Sequence, residues 1–224
     1  MTAGGVGRRF RASLPKQFLP LAGIPIVDRV LRLFEDHPAI DDILLTLPGS
    51  HLADHAADLQ ERFPKMCRVM AGGDTRQASV RTALAEPMAP DGLVCIHDAV
   101  RPLVQAAMLD ALLEAAARDG AAAPALPLTD TVAEADGEDR VLRYVDRRPL
   151  RALQTPQVFR YGLIHAAHQA AAAAPLDFTD DTAVAAAAGC TIRLVPGDPS
   201  NIKITTRDDL ALAAHLLAMR EERP

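Results

Sequence analysis

Short apolar runs alternate with longer stretches of helical periodicity along this chain. Ile43–Leu47, Arg68–Ala71, Leu93–His97, Ala122–Leu126 and Thr191–Val195 read as strands. Between them, Pro25–Glu35, Ser79–Ala85, Ala106–Arg118 and Tyr161–Ala174 have the apolar spacing or alanine content that suits helices. Asp181–Ala188 predicts another helix, stopped by Gly189 as a C′ residue. Thr206 opens a last one, with Asp208 and Asp209 in its first turn, running to about Met219. Strand–helix alternation predicts an α/β fold with a mostly parallel sheet and helices on both faces.

One segment breaks the rhythm. Thr129 to Arg151 holds Gly137, nearby prolines and the short alternating run Val141–Arg143–Val145, which reads as a hairpin inserted into the body. Such an arm cannot bury both of its faces alone, so it is expected to lie on another subunit. No internal repeat or linker interrupts the rest, and residues 1–224 read as one domain.

The bulk numbers narrow the partners. With 224 residues the chain can bury a real core. Aromatic residues make up 4% and Trp is absent, so there is no stacking platform for single-stranded nucleic acid. A net charge of −5 argues against a polyanion held by the global field, so any anion must meet a local cluster of cations. Cys67, Cys95 and Cys190 read as buried free thiols of a reducing compartment. No stretch approaches the ~20 apolar residues of a membrane span, and the basic start lacks the apolar region of a signal peptide, so a cytoplasmic location is expected.

Four stretches are candidates for chemistry. The first runs from Thr2 to Gln17: Ala3, Gly4, Gly5 and Gly7 precede Arg8, Arg9 and Arg11, and Lys16 follows Pro15. Glycines let backbone N–H groups approach a phosphate, and Pro15 fixes φ beside a cation and so aims it. It is neither a Walker loop nor a dinucleotide fingerprint; it favours a nucleoside triphosphate held by amides and side-chain cations. The second is His97-Asp98-Ala99-Val100-Arg101-Pro102, at the carboxyl end of a strand, where open α/β sheets bind ligands. Asp98 there suits a divalent ion bridging phosphates, or caps the next helix and pairs with Arg101. The third, Gly72-Gly73-Asp74-Thr75-Arg76-Gln77-Ala78-Ser79, resembles a second glycine-rich turn, with Ser79 able to cap a helix or reach a base. The fourth places Lys203 in a β-like run, Asn201–Thr205, where the default is a solvated lysine. No nucleophile elbow occurs, which favours phosphoryl-type transfer by positioning over covalent catalysis.

Together these stretches resemble the 2-C-methyl-D-erythritol 4-phosphate cytidylyltransferases. LPKQFLPLAGIPI, GGDTRQASV, IHDAVRP, PLTDTV, VDRRPLRALQTPQVF, FTDD and NIKITTRDDL carry the likeness, in order, from Thr2 to about Ala213. The resemblance implies a Rossmann-like sheet, a β-arm at about 129–151 exchanged across a homodimer, and CMP transfer from CTP to methylerythritol phosphate with Mg²⁺. It implies that Arg9 and Lys16 stabilise the α-phosphate and leaving pyrophosphate, while Arg147 of the partner chain and Lys203 position the acceptor phosphate. Ala3, Gly4, Gly5, Gly7, Gly72, Asp74 and Ser79 would surround the nucleotide. Asp98, Arg101, Thr131, Thr155 and Thr179 would hold the acceptor, with Asp98 also serving the metal. Ala3-Gly4-Gly5 and Val100 are instead similar to the sister ribitol 5-phosphate cytidylyltransferases, which leaves that acceptor as an alternative, beside a nucleotide-binding protein without turnover. The Thr179-Asp180-Asp181 run is similar to fused cytidylyltransferase–cyclodiphosphate synthase chains. The family sets an apolar strand before the first loop where this chain has only Met1 and Thr2, so a truncated first strand is expected.

Overall fold

The computed structural model describes residues 1–4, 15–173 and 178–221. Its strands are β1 (Pro20–Leu21), β2 (Ile24–Pro25), β3 (Ile43–Leu47), β4 (Met66–Ala71), β5 (Leu93–Ile96), β6 (Ala121–Pro127), β7 (Val132–Ala135), β8 (Val141–Val145), β9 (Arg151–Leu153), β10 (Gln157–Arg160) and β11 (Arg193–Pro196). The helices are α1 (Ile26–Asp36), α2 (Leu52–Arg62), α3 (Arg76–Leu84), α4 (Ala106–Asp119), α5 (Tyr161–Ala172), α6 (Asp181–Ala187) and α7 (Arg207–Glu221).

β3 pairs in parallel with β4, and β11 with β6. β10 enters antiparallel between β5 and β6, which makes those two parallel to each other. Residues 1–3 join the halves of this sheet: Thr2 bridges in parallel to Thr46 on one side and to Asp98 on the other. The Ala3 N–H donates to the Thr46 carbonyl at 2.9 Å, and the Ala99 N–H to the Thr2 carbonyl at 3.0 Å. Below them a cavity of about 1120 Å³ separates the edges of β3 and β5, lined by Ile43, Leu44, Cys67, Val94 and Cys95. The Met1 ammonium donates to the Leu44 carbonyl at 2.6 Å, and burial pushes its pKa down to about 6.

Period-two alternation sorts the core into two faces. Leu93 and Cys95 of β5, Val158 of β10 and Ala122 of β6 join a cluster with Val30 and Phe34 of α1, Leu59 of α2 and Leu109 and Leu112 of α4. Their neighbours Val94, Ile96, Phe159 and Ala121 join another with Val80 of α3, Ile164 of α5 and Ala185 of α6. Helices therefore cover both faces of a mostly parallel sheet. A third cluster, Leu21, Ile26, Leu103, Ile204 and Ala213, ties α7 to the small β1–β2 hairpin.

Several elements depart from the sequence reading. β10 was not foreseen, because four residues after Pro156 carry no period of their own. α3 starts at Arg76 rather than Ser79, since the Thr75 hydroxyl caps it by accepting from the Ala78 N–H at 3.0 Å. Asn201–Thr205 forms no strand and joins no ladder; the Ile204 N–H donating to the Val100 carbonyl at 2.9 Å holds it instead. Cys67 is exposed, and Cys95 and Cys190 are half-buried rather than buried; all are free. Cys67 lies on β4, where only Met66 is buried. No helix is long and apolar enough to cross a membrane among the described residues.

Between β6 and β9, β7 and β8 pair antiparallel as a hairpin with a register shift at Glu134/Ala135. Val141, Leu142 and Tyr144 are exposed there. Two strands without a packed face are marginal alone.

Candidate active site

The site lies beyond the carboxyl ends of the parallel strands, and Asp98 is its centre. The turn after β5 buries this carboxylate to 5% exposure, which is tolerable only with compensating charge. Arg76 Nε donates to Asp98 Oδ1 at 2.9 Å, and Lys203 Nζ stands 2.7 Å from Oδ2. Burial alone would raise the Asp98 pKa, but Arg76 and Lys203 outweigh it and hold the carboxyl well below the usual range. Arg101 contributes less to the pairing, with its Nε 3.8 Å from Oδ2; its Nη1 donates instead to the Asn201 carbonyl at 2.8 Å.

A neutral histidine fixes the backbone beneath. His97 lies at 1% exposure, and burial pushes its pKa down to about 3. Its Nε2 is 3.2 Å from the Arg101 carbonyl, an obligate acceptor, so that nitrogen carries the proton. Nδ1 then accepts from the Thr155 hydroxyl at 3.0 Å, and that hydroxyl oxygen accepts from the Asp98 N–H at 3.1 Å. Thr155 thus belongs to the site by orienting Asp98.

Lys203 is placed by its neighbour. Ile204 is fully buried in the third cluster, a burial contributing roughly 1.5–3 kcal/mol, and this pins the segment. Lys16 Nζ donates to the Ile204 carbonyl at 2.8 Å. The two lysines, 187 positions apart in sequence (203 minus 16), therefore converge on one stretch of backbone.

The glycine turn after β4 forms the opposite wall. The Gly72 N–H donates to the Leu47 carbonyl at 2.7 Å. A Cβ on Gly72 would stand 2.8 Å from Ser79 Oγ, and one on Gly73 would stand 2.5 Å from Ala78 Cβ, so both contacts require glycine. Gly4 approaches the same hydroxyl, a Cβ there meeting Ser79 Oγ at 3.1 Å. Ser79 Oγ also accepts from the Gly73 N–H at 3.1 Å. Ala3 is buried, with its carbonyl accepting from Gln17 Nε2 at 2.6 Å, and Asp74 is exposed beside the turn.

Other candidates lie apart. Arg147 and Thr131 are exposed on the arm, where Arg147 Nη1 donates to the Thr129 carbonyl. Among the described residues no hydrogen bond or ion pair joins either to the Asp98 cluster. Thr179 is exposed just before α6. Gly5, Gly7 and Arg9 lie outside the described residues.

Sequence reasoning missed Arg76, Asp181 and His168. Arg76 Nη1 stands 2.6 Å from Asp181 Oδ2, and His168 Nε2 stands 3.1 Å from Asp181 Oδ1; Asp181 and His168 are each 1% exposed. Arg76 sits in the GGDTRQAS stretch, where the glycines and Ser79 dominate the pattern. The available signal was an arginine placed just after the glycine turn. Arg76 Nη2 and Arg101 Nε are buried donors with no hydrogen-bond partner among the described residues.

For a metal, no group of three or more His, Cys, Asp or Glu gathers among the described residues. Asp98 still fits the mode in which Mg²⁺ takes one or two carboxylates plus phosphate oxygens. Its Oδ2, held by a lysine whose side chain is 39% exposed, is the oxygen that can be released.

Known proteins resemble this chain in sequence and fold. The family model described as 2-C-methyl-D-erythritol 4-phosphate cytidylyltransferase covers residues 1–219. The enzyme of that name from Syntrophus aciditrophicus (strain SB) is 38% identical over 223 residues, covering 99% of this chain and 95% of its own. A bifunctional enzyme IspD/IspF from Anaeromyxobacter dehalogenans (strain 2CP-C) is 43% identical over 221 residues, and this chain spans only 56% of its length. The crystal structure of the cytidylyltransferase from Thermus thermophilus superposes with a TM-score of 0.79 at 36% identity, covering 92% of this chain and 96% of that one. That of 4-diphosphocytidyl-2C-methyl-D-erythritol synthase from Anaerococcus prevotii gives 0.84 at 27% identity, covering 97% and 93%. This chain belongs to the 2-C-methyl-D-erythritol 4-phosphate cytidylyltransferase family.

Proposed function

We infer that this chain transfers CMP from CTP to 2-C-methyl-D-erythritol 4-phosphate, releasing pyrophosphate. The meeting of Lys16 with the Ile204 carbonyl, next in the chain to Lys203, whose ammonium pairs with the buried Asp98, carries this reading. An oxygen of the acceptor phosphate forms a bond to the α-phosphorus of CTP, and the bond from that phosphorus to the bridging oxygen of pyrophosphate breaks. Two polyanions must meet, so the barrier is largely electrostatic, and prepositioned cations lower it without a covalent intermediate.

Lys16, with Arg9, takes the charge growing on the α-phosphate and leaving group. Lys203 turns its ammonium to the acceptor phosphate. The glycine walls at Gly4 and Gly72 leave room for the nucleotide, with Ala3, Gly5, Gly7, Asp74 and Ser79 around it. Arg101, Thr155 and Thr179 border the acceptor side. Mg²⁺ would bind Asp98 together with triphosphate oxygens and supply charge neutralisation there. Arg147 and Thr131 complete the site from the arm of a second copy; the exposed Val141, Leu142 and Tyr144 support that homodimer. The cytoplasm is the compartment that fits the free cysteines.

The test incubates purified protein with CTP, Mg²⁺ and either methylerythritol phosphate or ribitol 5-phosphate, and identifies the product by ³¹P NMR. A new diphosphate diester with methylerythritol phosphate is expected. Product with ribitol 5-phosphate alone would move the acceptor, and product with neither would leave a nucleotide-binding protein.

A further inference from the structure

Among the described residues, Arg76 is the side chain that ion-pairs with both Asp98 and the segment entering α6. It begins α3, the helix that also carries Ser79 of the glycine turn. Its guanidinium divides itself between two buried carboxylates from distant parts of the chain, Nε to Asp98 and Nη1 to Asp181. Burial would lower its pKa, yet Asp181 and Asp98 raise it. His168 of α5 supports Asp181 from behind. The next residue grips the same segment, because Gln77 Oε1 accepts from the Phe178 N–H at 2.9 Å. Asp180 closes the grip: it accepts from Gln157 Nε2 at 2.6 Å, and it caps α6 by accepting from the Thr182 N–H at 2.8 Å. Thr179 stands exposed between these anchored residues.

The two oxygens of Asp98 are held unequally. The lysine on Oδ2 is 39% exposed, whereas the arginine on Oδ1 is 22% exposed and tied at its other end. Lys203 can leave for a phosphate; Arg76 cannot.

We propose that Arg76 is a positioning residue that locks the Phe178–Asp181 segment to Asp98, so that the acceptor side stays assembled when Lys203 departs. This rests on the acceptor-side reading given above. Lysine has a single compact charge and cannot serve both carboxylates as the guanidinium fork does. A small misplacement of positioning groups can cost ~10²-fold.

The experiment compares wild type with Arg76→Lys, Asp181→Asn and the double variant. Three readouts are taken: KM for each substrate, kcat, and hydrogen exchange of the amides of Phe178–Thr182. Both single variants should raise the acceptor KM about tenfold or more, leave the CTP KM within about threefold, and speed exchange at Phe178 and Thr182. The double variant should be no worse than Arg76→Lys alone, since both cut one link. Equal shifts in the two KM values, additive losses, or unchanged exchange in folded variants would overturn the proposal. If wild type turns over neither polyol phosphate, the activity reading fails by itself. The exchange data then still decide whether Arg76 holds the segment.

Discussion

Asp98 and Tyr144 break the rule of apolar inside and polar outside in opposite directions. The carboxylate is 5% exposed and the phenol 74% exposed. Around Asp98, each buried charge has an assigned counter-charge, and the backbone beneath is fixed through Thr155 and His97. Along β7 and β8, apolar side chains face outward, and the ion pairs of Arg143 with Glu134 and Arg140 with Asp136 stay within the arm. Even fully compensated, a buried charge cluster contributes little stability beyond what apolar packing would give. Exposed apolar surface on a two-stranded arm is costly unless another surface covers it. One region pairs its buried charges internally, the other leaves apolar side chains uncovered.

The contrast is broken most severely at its buried pole. Asp98→Ala removes the carboxylate that Arg76 and Lys203 share, leaving Arg76 with Asp181 alone and Lys203 without its counter-charge, and removing one partner of a buried pair typically costs ~3–5 kcal/mol. Urea denaturation should show a loss of that order, with turnover lost as well. A variant as stable as wild type would mean that the cluster is already solvated.

Next in size is Lys16→Ala, or Arg9→Ala. Deleting one positioned donor costs roughly 10²–10³ in rate. kcat should fall by that factor while the melting temperature and oligomeric state hold. Wild-type kcat in either variant would remove these cations from the mechanism.

Acid sharpens the comparison more gently. The unfolded His97 binds a proton near its ordinary value of 6.5, and the folded one only near 3. The unfolded state therefore holds more protons between those values, and stability falls as pH drops through that window. The depressed Asp98 carboxyl acts in the same direction lower down, its contribution present above the ordinary aspartate range and lost below it. From pH 7 to 5 the metal-free protein should lose on the order of 2 kcal/mol through His97. His97→Gln should flatten that slope; an unchanged slope would place the titration elsewhere.

The smallest effect on the folded chain belongs to the arm. Leu142→Ser with Tyr144→Ser should shift sedimentation from dimer towards monomer and leave monomer stability within about 0.5 kcal/mol. Unchanged association would detach the arm from the interface.

How much of this was legible in the sequence follows the range of the interactions. β3 and β5 announce themselves as apolar runs, and Asp98 follows directly from standing after one of them. Lys203 was visible as an odd cation, but its pairing with Asp98 depends on the burial of Ile204 against α7 and the β1–β2 hairpin. Arg76 was hidden more deeply, because its second carboxylate lies 105 positions on (181 minus 76) and meets it only when α3 and α6 cover the same face. β10 escaped because its strand character comes from being flanked by β5 and β6, not from its own four residues. Asp98 was offered two partners by sequence, a metal or Arg101. Arg101 does pair with it, but only through Nε at 3.8 Å, because the Asn201 carbonyl captures its Nη1.

In the proposed reaction, transfer occurs where Lys203 leaves Asp98 for a phosphate. Pyrophosphate release from CTP and methylerythritol phosphate, measured side by side for wild type and Lys203→Ala, tests it most directly. Turnover by wild type is expected, with a loss of roughly 10²–10³ in the variant at an unchanged melting temperature, since Arg76 still compensates Asp98. Equal rates from the two proteins would contradict it.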